Sequence, residues 1–399
     1  MPETTQEPRR ANLHVAQPVV VCSRSSVEAL DVMRMDVARR PPARGTEPVR
    51  EGSFVVTREL GSWGTQDASA LDRAVALPRP VHVLVPAGGG PKPTALLCPH
   101  KWKFRNPYDD LIPFDGGSPR ILVAPPELAL LQLAARLDRV HVAGLINQLV
   151  GTYRVIRPQA IPTYRRIPHS SIELYPRGST EDTCISATVY GLKPLTTVER
   201  VRDYVRAMPS AHGSHLVEGA LPLAHDGLAS PLESQTYMLA FCSRRLGSLG
   251  LPMPDINGEL PLTPQARRFA NKDVIIPDFY WPEGHVALET NGWLYHGSPR
   301  AITGTSLRDK AYRAMGITCL TLTSPEVRSE NLFMAAMEEL AGYLGTSIPQ
   351  GTEAFRRQRQ RLRDQMFPPR NVPEPEPETD EGYLAQLDAY ADSLAASGR

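Results

Sequence analysis

The chain has 399 residues, enough for two or three ordinary domains, and 41% hydrophobic with 22% charged residues describes a globular protein, not a fibrous or disordered one. A formal net charge of +1 excludes a chain-wide basic field, so any nucleic-acid surface must be local. No apolar run approaches the roughly 18 residues of a membrane span, and the start MPETTQEPRR lacks the apolar core of a signal peptide; the expected location is the cytoplasm, with no membrane partner.

Five scattered cysteines without a C-x-x-C pair fit a reducing compartment and supply neither a disulfide framework nor a zinc site. Cys98 and His100 offer two metal ligands, but nothing near them in sequence completes a set. The 39 prolines, well above the typical ~5%, predict many loops.

Residues 1–18 are expected to be disordered. Val19–Cys22 is a short apolar run, and Ser25-Ser26-Val27-Glu28 has capping-box spacing that opens a helix to about Arg34. A Pro- and Arg-rich loop, Arg39 to Gly52, and a short helix at Leu71–Leu77 follow. Val81–Val85 predicts a strand. The glycines Gly88–Gly90 read as a hairpin loop, because a phosphate cradle needs Lys-Ser/Thr at a helix start and Pro91 and Pro93 intervene. From Pro99 to Arg105 basic and aromatic residues alternate, so a strand sets Lys101, Lys103 and Arg105 on one face. That row serves either as a solvated face or as a contact surface for backbone phosphates. A strand at Ile121–Val123 and helices over Glu127–Leu137 and Val140–Val150 complete an α+β domain spanning 19–152.

Residues 153–227 read as a linker, Pro- and Arg-rich from Tyr153 to Thr180, then a helix opened by Thr196 and running to about Met208. A second domain is expected over 228–346. Ser230-Pro231-Leu232-Glu233 starts a helix to about Leu246, with Glu233 in the capping position. Asn271–Trp281 and His285–Asn291 predict a hairpin about a two-residue turn, Pro282-Glu283. Trp281 then faces Gly284, Asp278 lies opposite Ala287, and Glu289 is its diagonal neighbour on the face shared by Asn291. A one-residue slip would separate the two acids.

Two carboxylates on one sheet face, if desolvated, call for a counter-charge. A hard cation, Mg²⁺ or Mn²⁺, supplies it, with Asp278 and Glu289 as ligands and Glu233 as an outer carboxylate. A helix from Ser306 to Met315 carries Arg308, Lys310 and Arg313, either phosphate contacts or a solvated face, and Gly316 leads into a strand at Ile317–Thr323. An amphipathic helix over Pro325–Leu344 follows. Glu353–Phe367, with five arginines between 356 and 363, reads as a solvent-exposed basic helix. The Pro- and Glu-rich stretch 368–382 and a short helix at Tyr383–Leu394 end a largely disordered segment, 347–399.

Pro277-Asp278, followed eleven positions on by Glu289-Thr290-Asn291, resembles the PD-(D/E)xK signature of restriction-endonuclease-like nucleases. Glu289-Thr290-Asn291-Gly292 followed by His296 is similar to the E-x-D-G-x-x-x-H run of the subfamily close to very-short-patch-repair endonucleases. Asp309 and Arg313 stand where that subfamily has D-x-x-R, but four apart. The resemblance implies an α/β fold, α+β overall: a three-layer α/β/α domain with a central mixed sheet, behind a smaller α+β domain. It also implies a Mg²⁺- or Mn²⁺-dependent endonuclease acting on DNA, with Asp278 and Glu289 as metal ligands, Glu233 in support, and Asn291 or His296 positioning water. The family's third catalytic residue is Lys; Asn291 carries no charge, and Lys310 is a candidate to supply it.

Upstream, Val81–Val85, the basic–aromatic strand and the run from Val123 to Ala134 resemble the AbiEi-type antitoxin domain, which implies a toxin–antitoxin protein partner. The alternative is therefore a catalytically degenerate, nucleic-acid-binding regulator that keeps the nuclease fold. A third reading is a structural domain with no nucleic-acid partner.

Overall fold

The structure, a computed structural model, describes residues 19–33, 80–86, 92–95, 97–102, 111–113, 121–156, 160–165, 170–177, 184–291 and 299–367. Lys103, Arg105, His296, the Arg39–Gly52 loop, the Leu71–Leu77 helix, Gly88–Gly90 and the terminal residues 1–18 and 368–399 lie outside those residues, whereas 347–367, expected in a largely disordered segment, lie within them. The chain is mixed α/β and separates into two compact units, Met1–Leu133 and Ala134–Arg399.

In the first unit the β-branched runs pair into one sheet. Strands β1 (Val19–Val21), β2 (Val81–Pro86), β3 (Leu97–Trp102), β4 (Ile112–Pro113) and β5 (Ile121–Val123) form a sheet in the order β3-β2-β1-β5-β4. Helix α1 (Ser23–Met33) starts two residues before the predicted cap. Its serines are used differently: Ser25 Oγ accepts the His82 N–H at 3.0 Å and Ser26 Oγ donates to the Ala124 carbonyl. Both serines are fully buried, so they fasten the helix to the sheet instead of ending it. Helix α2 (Pro126–Ala134) buries Leu128, Leu130 and Leu131, as a helix apolar on all sides must.

The second unit opens with α3 (Arg139–Val150), N-capped by Asp138. That helix was expected to close the domain ending at residue 152; it packs instead in the same unit as the elements after it. The expected linker is structured. Strands β6 (Tyr153–Ile156), β7 (Ser171–Arg177) and β8 (Cys184–Tyr190), with the short helix α4 (Ile161–Tyr164), make an antiparallel sheet in the order β6-β8-β7. Pro and Arg hid it from composition. Pro176 is tolerated because β7 is an edge strand, where a missing N–H costs no ladder bond. Ile156, Tyr164, Ala187, Val189 and Leu192 form its core. Helices α5 (Val198–Ala207), capped by Thr197 rather than Thr196, and α6 (Ser214–Ala220) follow.

Ser230 caps α7 (Pro231–Ala240) as the sequence predicts. Next come β9 (Asp255–Ile256), β10 (Leu260–Pro261), α8 (Pro264–Ala270), β11 (Val274–Ile275), β12 (Phe279–Trp281), β13 (Val286–Asn291), α9 (Pro299–Ala314) and β14 (Thr318–Thr323). The central sheet has the order β14-β13-β12-β9, with β13 parallel to β14 and antiparallel to β12. Val274 and Ile275, expected in the hairpin, pair with β10 instead, and Pro277 follows before β12 begins.

Phe279 and Trp281 meet the Phe241 ring at the end of α7, at centroid distances of 5.1 and 5.6 Å. Ala287, by alternation on the opposite face, packs with Ala311, Tyr312 and Ile317. The expected Pro325–Leu344 helix is two, α10 (Ser324–Arg328) and α11 (Glu330–Tyr343), divided at Ser329, which caps the second.

The basic segment departs most from its reading. Helix α12 (Glu353–Met366) is not a wholly solvated face: Arg359 and Arg363 are buried, and both bind Glu330 of α11. Arginines at 359 and 363 lie on one face by i, i+4 spacing, and that face docks. No helix among the described residues is long and apolar enough to cross a membrane.

Candidate functional site

Three of the acids singled out from sequence come from three separate elements: Glu233 from the first turn of α7, Asp278 from the bend before β12, Glu289 from β13. The hairpin register is Phe279↔Leu288, Tyr280↔Ala287 and Trp281↔Val286, closed by the four residues Pro282 to His285. The two-residue turn is thus corrected to four residues: the Pro282 carbonyl accepts the His285 N–H, and His285 takes φ 49°. The pairing moves by two residues, so continuing it sets Asp278 across from Glu289 instead of Ala287. An even shift preserves which side chains share a face.

Each acid is held by polar partners. Asp278 Oδ2 accepts from the Thr290 N–H and from Thr290 Oγ1, both at 2.7 Å. Glu233 Oε2 accepts from the Ala229 N–H at 2.8 Å and from Asn257 Nδ2 at 2.6 Å, while the Glu233 N–H donates to the cap Ser230. Glu233 therefore does more than close a capping box: its carboxylate reaches one residue past the cap and across to another element. Asn257, at φ 49°, also donates its own N–H to the Asp278 carbonyl and so ties the two acids' segments together. Glu289 Oε1 accepts from the Tyr312 hydroxyl, and its Oε2 faces Arg308 at 3.2 Å.

Burial dominates the electrostatics. Desolvation, followed by repulsion from Asp278, pushes Glu233 up to about 8 despite the bonds from Ala229, Asn257 and Ser230. The same two causes push Glu289 up to about 7, with Arg308 and Tyr312 opposing. Asp278 is raised by desolvation, opposed by Thr290 and then by Arg308. Asp309, on α9, adds a smaller repulsion at Glu289. Unfolded carboxyls titrate near 4, so between about pH 5 and 8 the folded chain holds protons that the unfolded chain has lost. With divalent cations chelated, stability is accordingly expected to fall as pH rises through that window. Urea midpoints measured across it check the slope, and Glu233→Gln should flatten it; an unchanged slope in that variant would remove Glu233 as its source.

The other sequence candidates are dispersed. Asn291 ends β13, half-buried, paired with Thr323. Arg308 turns inward, against Glu289 and the Ile276 carbonyl, whereas Lys310 and Arg313 on the same helix are exposed. Lys101 is exposed on β3, in the other unit. Sequence reasoning missed Asn257, Thr290 and Tyr312. A signal existed for two of them: Asn257-Gly258 is a turn dipeptide, and Tyr312 stands i+4 from Arg308, hence on the same helix face.

Oxygen donors of this kind suit a hard divalent cation. Asp278 Oδ1 and Glu233 Oε1 stay outside the bonds described, whereas both oxygens of Glu289 are engaged. Among the described residues, the only set of three or more ligand side chains whose donor atoms all lie within 4.8 Å of one another is His82, Cys98 and His100; the three acids form no such set. Comparison with protein-family models, with curated proteins and with solved structures returns no match to this chain.

Proposed function

We propose that residues 228–346 form a restriction-endonuclease-like α/β/α domain that hydrolyses phosphodiester bonds in DNA with Mg²⁺ or Mn²⁺. One observation carries the reading: three desolvated carboxylates come from three elements, and Asp278 adds to the raised proton affinity of both Glu233 and Glu289. Such a cluster is costly unless a cation offsets it. The mixed sheet with aromatic packing toward α7 on one face and toward α9 on the other supports the layering.

Asp278 and Glu289 would hold the cation, with Glu233 beside them. When bound, it would lower the pKa of a coordinated water and offset charge on the phosphate. The chain's own residues do the rest. Thr290 orients the Asp278 carboxylate through two donors, and Asn257 orients Glu233. Asn291 holds the attacking water by hydrogen bonds. Lys310 and Arg313, exposed on α9, contact backbone phosphates.

The regulator reading draws on one specific observation: Arg308 already pairs with Glu289 and the Tyr312 hydroxyl already donates to it, in a chain whose residue 291 is not Lys. A toxin–antitoxin protein partner and a defence role belong to that alternative. Supercoiled plasmid incubated with Mg²⁺ or Mn²⁺ separates the two. The nuclease reading expects nicked and linear products that chelation abolishes. Intact plasmid, shifted on a gel by the folded protein, would overturn the nuclease reading in favour of the regulator.

A further inference from the structure

The sequence excludes a zinc site because its cysteines are scattered, yet strand pairing gathers ligands that sequence separates. β2 and β3 run parallel with His82 beside Cys98 and Leu84 beside His100. Paired residues and their i+2 neighbours share a sheet face, so His82, Cys98 and His100 project on the same side. Their donor atoms all lie within 4.8 Å of one another. The two imidazoles stack with centroids 4.9 Å apart, and His82 Nδ1 stands 2.7 Å from His100 Nε2. All three residues are half-buried: shielded enough to be ordered, open enough for an ion to enter.

We propose that His82, Cys98 and His100 bind a borderline divalent cation, zinc by preference, through two imidazole nitrogens and one thiolate. Zn–N bonds of about 2.0–2.1 Å at tetrahedral angles need nitrogens roughly 3.3 Å apart, a small opening from the geometry present. A nitrogen–sulfur donor set selects zinc over magnesium, which wants oxygen. The thiol proton leaves as the metal binds. Three protein ligands leave a fourth position for water. β3 lies at one edge of its sheet, so the metal clips that edge strand to β2. The site is independent of the acidic cluster, which lies in the other unit and offers oxygen alone.

Cobalt(II) is the probe. Titrated into the full-length protein, it should produce a thiolate-to-cobalt charge-transfer band that saturates at one equivalent and survives excess Mg²⁺. Cys98→Ala should abolish the band, and His82→Ala or His100→Ala should weaken cobalt binding beyond the ~10–100-fold typical of losing a supporting contact. Cys22→Ala should keep the band, because Cys22 is wholly buried and is not one of the three clustered ligands. A band that persists in Cys98→Ala, or no band in folded wild type, overturns the proposal. A variant-free measurement guards against misfolding: zinc should shield Cys98 from alkylation while leaving Cys319 labelling unchanged, and unshielded Cys98 at saturating zinc also overturns it.

Discussion

Asp278→Asn and Glu289→Gln are each expected to lower metal-dependent DNA cleavage by about 10²–10³-fold, a loss comparable to removing one transition-state stabilising group. Both substitutions preserve shape. Asn at 278 keeps an oxygen to accept the Thr290 N–H, and Gln at 289 keeps one for the Tyr312 hydroxyl. Only charge is removed. Because burial already resists that charge, the folded state should be unharmed or firmer at about pH 8, above the titration of an ordinary carboxyl. Arg308 loses its partner in Glu289→Gln but keeps the Ile276 carbonyl and, at 39% side-chain exposure, access to water. Activity and stability thus move in opposite directions, as at a site where function works against folding. Initial rates of plasmid nicking and urea midpoints, measured on the same preparations, read both. Full activity in both variants would sink the site assignment.

Local chemistry explains what the sequence made visible. The Ser230 cap, the β-branched strands and the alternation around Asp278 and Glu289 each depend on residues close in the chain, where spacing implies geometry. The parity of the hairpin survived an error in its turn because the shift was even. What stayed hidden needed partners far away in sequence. Asn257 reaches Glu233 over 24 positions, and His82 reaches His100 over 18, so neither link has a spacing to read. Composition misled in the 153–227 segment, where proline marked an edge strand and not a linker. It misled again in α12, where charge suggested solvent although two arginines are buried.

Arg359→Ala tests that helix and is expected to cost about 2–4 kcal/mol of stability, the scale of losing one partner from a largely buried, hydrogen-bonded ion pair. The guanidinium makes several contacts at once. It pairs with both oxygens of Glu330, donates to the Leu239 and Gly247 carbonyls at 3.2 Å each, and lies 5.6 Å over the Phe333 ring. Its side chain is 6% exposed, so water cannot replace those bonds, and both carbonyls lose a donor. The backbone is equally committed: a Cβ on Gly247, itself at φ 93°, would stand 2.6 Å from the Gln358 carbonyl oxygen. Arg356 and Arg357, earlier on the helix, form ion pairs with Glu353, Arg356 also donating to the Gly351 carbonyl, at 66% and 63% side-chain exposure. Alanine there should change stability by less than about 0.5 kcal/mol, since solvent screens such pairs. Urea unfolding of the three variants side by side measures the contrast. Equal, small losses at 356, 357 and 359 would mean that α12 does not dock through Arg359. A large loss confined to 359 makes the basic helix part of the second unit's core.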